Sequence, residues 1–337
     1  MLVERFPRSA IVQPDRYRYV ETMEAIIDIV LPAFCLIGFG YIIARSSYLG
    51  ESVGDALADF VFKVAVPVLL MRSIATAQFG QDNPWLFTLA YFMSIAVAWL
   101  VAMAIIKFVF SRGSRAAVIA GLGAGYSNII LLGIPLTERA FGEQGLQILF
   151  FLVSIHLPTM MMISTFLMEY AVRADQVEST PFKPLTVAKN LFRNLAVNPI
   201  IVGIFIGLAW RISGFGVSGT VGQVMDLLSR TTGPLALMSL GMGLIKYGIR
   251  GNVLAAVSLA ALSLLAMPAT LFVIQMTFLP LPPLWFKVAV LIAACPTGVN
   301  AYLFATYFKV AEGLSSSVIV LSLLGSIITI PIWLALL

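Results

Sequence analysis

The sequence predicts an all-α integral membrane protein of ten transmembrane helices, built as two five-helix inverted repeats whose fourth and ninth helices are broken. Three observations carry this expectation: an apolar composition, ten apolar runs of spanning length, and a displacement of 167 residues at which distinctive residues recur. Of 337 residues, 60% are hydrophobic and 11% charged, against about 45–50% apolar and about 25% charged in soluble chains. A bilayer core needs roughly 20 apolar residues per helix, so ten helices with short connections use nearly the whole chain. This leaves no room for a large soluble domain and excludes DNA-binding proteins, cytosolic enzymes and secreted scaffolds. The net charge of +5 is then a matter of topology, with lipid and not nucleic acid as the partner. Cys35 and Cys295 both lie inside apolar runs, so no disulfide framework is indicated.

Residues 1–22 mix Arg5, Arg8, Arg16 and Arg18 with Glu4, Asp15 and Glu21, and Pro7 and Pro14 interrupt them. They lack a signal-peptide core and read as a disordered tail. Apolar runs follow at 24–45, 54–74, 84–110, 115–138, 145–172, 190–211, 220–246, 251–278, 284–308 and 313–336. The seventh is interrupted by Asp226, Arg230 and Gly233-Pro234. The first repeat thus covers 24–172, a connection 173–189, and the second repeat 190–337.

Basic loops are retained in the cytoplasm. One side of these spans carries Arg45, Lys107, Arg112, Arg115, Arg173, Lys183, Lys189, Arg193, Lys246, Arg250 and Lys309, and the other only Arg72, Arg139, Arg211 and Lys287. The 173–189 connection is therefore expected in the cytoplasm of a cell (inner or plasma) membrane protein, with both termini outside. That leaves the arginines of the tail on the wrong side. Either translation begins at Met23, or a short tail is tolerated across the membrane.

Pro32 and Gly40 recur as Pro199 and Gly207, 167 positions on, and Asp59-x-x-x-Lys63-x-x-x-Pro67 recurs at the same displacement as Asp226-x-x-x-Arg230-x-x-x-Pro234. Gly145 and Gly313 follow at 168. An odd number of spans per half makes the halves enter the membrane from opposite sides, an architecture common among alternating-access carriers.

Ionised groups persist in a bilayer only where they are paired, wet or useful. Asp59 and Lys63, four apart on one helix, can neutralise each other, and Asp226 and Arg230 are expected to do the same. Such pairs either brace the helices or border a transport cavity, where a carboxylate accepts a proton or a cation attracts an anion. The fourth span carries Gly121, Gly123, Gly125, Ser127-Asn128, Gly133 and Pro135; the ninth carries Cys295-Pro296-Thr297-Gly298 and Asn300. Both are poor material for a continuous helix at equivalent depth. A broken helix exposes backbone groups that lipid cannot satisfy, and its new amino terminus offers positive partial charge to a carboxylate. Gly125, Gly133, Pro135 and Pro296 are the expected breakers; Ser127, Asn128, Thr297 and Asn300 are the expected substrate contacts.

The stretch Ser127-Asn128-Ile-Ile-Leu-Leu-Gly133-Ile-Pro135-Leu136 resembles the Asn-Thr-Leu-x-x-Gly-Ile-Pro-Leu motif of the auxin efflux carrier family, which includes the plant PIN exporters and bacterial malonate permeases. The likeness runs over most of 24–337, through Pro32, the Asp59/Lys63 pair and Ala-x-x-Pro296. It implies two five-helix inverted repeats whose broken fourth and ninth helices cross beside the substrate. Asn128 then contacts substrate, Pro296 breaks the second crossing helix, and Asp59 with Lys63 gives polar support. Where PIN exporters have a proline before the motif's asparagine, this chain has Ser127, so the first break must rest on glycines and Ser127. The short 173–189 connection is not the long loop of many plant members, which makes auxin a poor guess for the substrate.

An enzyme is disfavoured. Gly216-Val-Ser218-Gly219 matches the Gly-x-Ser-Gly of rhomboid-type intramembrane proteases, but Ser218 falls in a connection, and the only histidine, His156, lies in the fifth span. His156 is expected to be a core residue bonded to a neighbouring hydroxyl; alone it makes no metal site, and no P-loop occurs. A channel and a sodium symporter of the bile-acid type are the alternatives, although 121–136 and 290–305 hold no Asp or Glu for a sodium site. The reading is a secondary carrier that moves a small organic anion, a carboxylate, with no cofactor, by rocking one helix group against another. Proton or sodium coupling and a homodimer stay open.

Overall fold

The computed structural model describes residues 23–77, 83–175 and 195–337, together with Lys189, Phe192 and Arg193. The tail 1–22 and residues 176–188 of the connection lie outside the described residues. The chain opens with α1 (Met23–Arg45). Next, α2 (Glu51–Phe60) passes through a π-helical turn, Val61–Ala65, into α3 (Val66–Thr76). Then α4 (Pro84–Ala104), whose cap Asn83 accepts from the Trp85 amide at 3.0 Å, ends in the π turn Ile105–Val109. α5 (Ser114–Gly125) stops abruptly, and the π turn Ile129–Gly133 leads on into α6 (Ile134–Ala174). The second half comprises α7 (Pro199–Ser213), α8 (Gly219–Gly243), α9 (Val253–Ala261) joined by the π turn Leu262–Ala266 to α10 (Met267–Thr277), α11 (Pro283–Ala293), α12 (Asn300–Tyr307) and α13 (Glu312–Ala335).

Among the described residues, five helical stretches are long and apolar enough to cross a membrane: Glu24–Arg45, Pro84–Val109, Ile129–Ala174, Val253–Thr277 and Glu312–Ala335. Pro199–Ser213 and Pro283–Ala293 are shorter apolar helices. The 46 residues of Ile129–Ala174 measure roughly 70 Å at 1.5 Å per residue, over twice the bilayer core. They are kinked at Gly142, whose φ of 62° and ψ of −155° break the helix, between the expected fourth and fifth spans. Gly233-Pro234 interrupts nothing: α8 runs through both.

Three of the π turns end one residue short of a proline, at Pro67, Pro135 and Pro268. Proline has no amide to offer the carbonyl four residues back and its ring crowds that carbonyl; a widened turn relieves the crowding but leaves an orphan acceptor. Before Pro268 that acceptor is the Leu264 carbonyl, and the Trp333 indole of α13 donates to it at 2.8 Å. The kink thereby becomes a fixed contact between helices.

The helices pack in two groups. α1 packs mainly on α8, and α3 mainly on α7; the other group joins α4 to α5, α9 to α13, and α11 to α6. The first group is built on close backbone approach. A Cβ placed on Gly203 would lie 2.7 Å from the Pro67 carbonyl oxygen, and one on Gly207 would lie 2.9 Å from that of Met71. One on Gly40 or Gly241 would strike the Met238 or Ile37 carbonyl. Small residues that admit a neighbouring backbone are how apolar helices associate where lipid gives no hydrophobic drive. In the second group an alanine-rich cluster, with Ala102, Ala117, Ala120, Ala255 and Ala256, does similar work.

Candidate functional site

The two interrupted segments meet. α5 ends at Gly125, and Tyr126 (φ −107°, ψ 85°) and Asn128 (φ −78°, ψ 69°) leave helical geometry. Opposite them, between α11 and α12, Ser127 and Thr297 form an antiparallel bridge. The Asn128 amide donates to the Pro296 carbonyl and the Gly298 amide to the Tyr126 carbonyl, both at 2.7 Å. The first break therefore needs no proline: each opened helix supplies the hydrogen-bond partners that the other lost. A Cβ on Gly298 would come within 3.2 Å of the Ser127 and Tyr126 carbonyl oxygens, so this close crossing favours glycine there.

Side chains lock the crossing. Thr297 Oγ1 donates to the Gly123 carbonyl at 2.5 Å, and the Thr297 amide donates to Ser322 Oγ at 3.0 Å. Asn128 Oδ1 accepts from the Leu131 amide at 3.2 Å and so caps the helix that resumes after the break. Ser127, Asn128 and Thr297 are all buried. A cavity of about 30 Å³ remains at the crossing, lined by Asn128, Ser127, Asn300, His156, Tyr126 and Phe62 among others. Two resumed helices, after Asn128 and at Asn300, start beside it; the Ile129, Ala301 and Tyr302 amides are held by the Ser127, Gly298 and Val299 carbonyls, and the helix dipoles still direct positive partial charge to this end.

The expected contacts divide. Ser127, Asn128 and Asn300 line the cavity; Thr297 does not, its hydroxyl and amide being spent on the crossing. Gly125 ends α5, Pro296 supplies the carbonyl that Asn128 binds, Gly133 closes the π turn, and Pro135 belongs to the resumed helix beyond it. Asp59 and Lys63 do pair, at 2.6 Å, but both side chains are exposed and line neither cavity described here. Asp226 does not pair with Arg230. Its carboxylate binds Arg72 of α3 instead, and Arg72 also reaches Glu143 at 3.6 Å. The i,i+4 rule sees one helix only, and a guanidinium from a neighbouring helix took the acid.

His156 also departs from expectation. It is 3% exposed and neither ring nitrogen has a hydrogen-bond partner among the described residues. It is held by rings: Tyr126 at 5.2 Å, Tyr91 at 5.8 Å and Phe92 at 5.9 Å between centroids. Ser218, exposed at the start of α8, is not its partner. Sequence reasoning passed over His156 as a site residue because a lone histidine in an apolar run carries no spacing signal.

A larger cavity, about 820 Å³, lies between the two helix groups. α3 and α7 contribute Ser73, Ile204 and Leu208, and the facing α6 contributes Glu143, Gln147, Phe151 and Ser154. On another side of α6, Val153, His156 and Leu157 line the crossing cavity. α6 thus borders both spaces. Glu143, which accepts from Ser73 Oγ at 2.5 Å, stands at the wide end.

At the opposite end, Asp175, just past α6, caps α5: its two oxygens accept from the Ser114 and Arg115 amides at 2.8 and 2.9 Å. Partial burial pushes this carboxyl up, but the Arg115 and Ser114 amides, with the Ser114 hydroxyl and the Arg115 charge, outweigh it and hold the group below the usual carboxylate range.

Apolar helices of spanning length, two broken helices bonded to each other, and a buried cavity at their junction define a multi-pass membrane transport protein. Residues 25–334 match the family model described as membrane transport protein, and the chain belongs to that family, the auxin efflux carriers. It is 24% identical to the "Putative malonate transporter" of Rhizobium meliloti (strain 1021) over 91% of this chain and 94% of the relative. It is 26% identical to an "Uncharacterized transporter" of Methanothermobacter thermautotrophicus over 91% and 96%. With "Auxin efflux carrier component 8" of Arabidopsis thaliana it shares 22% identity over 92% and 96%.

Proposed function

We propose that the chain is a secondary carrier, not an enzyme, which moves a small carboxylate across the cell membrane by alternating access. The observation that carries this reading is the paired break. Two helices interrupted at buried depth bond to each other through Ser127–Thr297, Asn128–Pro296 and Gly298–Tyr126. Beside that junction they present two helix amino termini, Asn128 and Asn300 to one small cavity. Helix amino termini suit a carboxylate, and the relative from Rhizobium carries malonate in its name. Loss of one hydrogen bond from a neutral side chain to a charged ligand costs roughly 1.5–3 kcal/mol, so Asn128 is expected to matter tenfold or more.

An inverted repeat of five spans each is part of the proposal, and packing supports it. Gly40 meets the backbone of Met238, and Gly207 meets that of Met71. Gly207 lies 167 positions after Gly40, and Met238 lies 167 after Met71. The same contact is therefore made twice with the halves exchanged, as two-fold related repeats require. The cavity between the groups then serves as the mouth on the side of Arg72 and Arg211, the side predicted to be outside. A thermal-shift screen of purified protein against short carboxylates, then uptake into liposomes under proton or sodium gradients, tests the reading. Stabilisation and saturable uptake of a carboxylate are expected; single-channel currents in place of saturable flux would contradict a carrier.

A further inference from the structure

The crossing cavity poses a charge problem that the residues around it answer in one way. Its lining contains no Lys, Arg, Asp or Glu. Helix amino termini contribute only partial charge, about half a unit each at best, and a full carboxylate taken from water into such a space is costly without a partner. One lining side chain can become a cation, His156, and both of its nitrogens are buried without a hydrogen bond among the described residues. Such an orphan needs a reason, because a buried unsatisfied polar atom ordinarily costs about 1–3 kcal/mol.

We propose that His156 takes up one proton from solvent when a carboxylate occupies the crossing, so that anion and proton share the site as an imidazolium–carboxylate pair. Without the anion the ring is neutral, since an imidazolium caged by Tyr91, Phe92 and Tyr126 has no counter-charge. The proton goes to whichever ring nitrogen is bare, and the resulting N–H donates to the carboxylate. The imidazolium cancels one carboxylate charge; a dicarboxylate such as malonate keeps its second charge, which faces the partial positive charge of the helix amino termini, and the anion moves with one proton. The titratable groups facing His156 are the Tyr91 hydroxyl from α4, beside Ser127, and the Tyr126 hydroxyl from the first break, beside Asn300. From the second half, Gly298, Val299 and Asn300 line the cavity and the buried Cys295 thiol, donating to the Leu291 carbonyl, lies just before them. Phe62 comes from the π turn between α2 and α3, and the adjacent Lys63 is exposed and paired with Asp59. None of these hydroxyls and thiols is a stronger base than imidazole near neutral pH, which leaves the proton with His156.

This inference rests on the crossing being the anion site, and the test separates the two. His156 is the chain's only histidine, so histidine-ring nitrogen-15 labelling, with an affinity tag that contains no histidine, gives a magnetic resonance spectrum of this one residue. The full-length protein in lipid is measured without and with saturating malonate. One protonated and one bare nitrogen are expected without malonate, and two protonated nitrogens with it. Malonate affinity should rise about tenfold per unit fall in pH between roughly pH 8 and roughly pH 6.5, the slope of one linked proton, and His156→Gln should flatten that slope. Malonate bound beside a ring that stays neutral, or an imidazolium already present without it, would overturn the inference and leave the anion site standing. Failure of malonate, acetate and succinate all to bind would overturn both. The spectrum needs only the unaltered protein, so a His156→Gln variant that fails to fold does not decide the matter.

Discussion

At the scale of single residues, polar groups here are explained by partners that lie far off in the chain. Arg72 and Asp226 are 154 residues apart and bind across two helices. A double-mutant cycle, read by thermal stability in detergent, should give a coupling of about 0.5–1 kcal/mol for Arg72→Met with Asp226→Asn, as for other part-exposed pairs. The same cycle on Asp226 and Arg230 should give none; equal coupling in both would restore the pairing within one helix. Asp175 makes a second case. Its carboxyl is held below the usual range by the amides it caps, so it stabilises the folded protein above the ordinary carboxylate pKa, and that contribution is lost as pH falls through the depressed folded value. Asp175→Ala should cost about 1 kcal/mol at neutral pH, the usual worth of a cap. The deficit should shrink toward acid, and melting curves of both proteins across that range would show it. Neither partner was legible beforehand, because periodicity and i,i+4 spacing describe a helix's own faces and say nothing about which distant helix meets them. His156 was missed for the same reason: what distinguishes it is the absence of a bond.

At the scale of elements, the sequence was far more informative, since the physics there is local. Glycine clusters and prolines in apolar runs marked both breaks, and Asn128 was legible as the residue at the first. The recurrence of Gly40 as Gly207 was visible as a coincidence of spacing; its reason, a backbone carbonyl where a Cβ would sit, appears only in three dimensions. This distinction is testable on one helix. Gly40→Ala should destabilise the protein by about 1–3 kcal/mol through overpacking, whereas Gly38→Ala, with nothing within 4 Å of its new methyl group, should be neutral or slightly stabilising. Detergent melts of the two variants should differ clearly. Similar losses in both would mean that helix propensity, and not the α1–α8 contact, governs this helix.

At the scale of the whole molecule, composition sufficed to place the chain in a membrane, and the grouping of helices was beyond its reach. Packing sets α1, α2, α3, α7 and α8 against the helices that carry the crossing, with the wider cavity between them. In the proposed carrier, movement of one group against the other would change that cavity and leave the bonds at Ser127–Thr297 in place, offering one site to two sides in turn. Accelerated counterflow in liposomes tests this most directly. Vesicles preloaded with unlabelled malonate should take up external labelled malonate faster and to a higher transient level than empty vesicles, because a carrier returns loaded more readily than empty. Asn128→Ala, inserted and folded, should reduce this uptake at least tenfold at malonate concentrations well below saturation. Uptake that ignores the preload, or a well-folded Asn128→Ala protein that matches the unaltered one, would contradict the account.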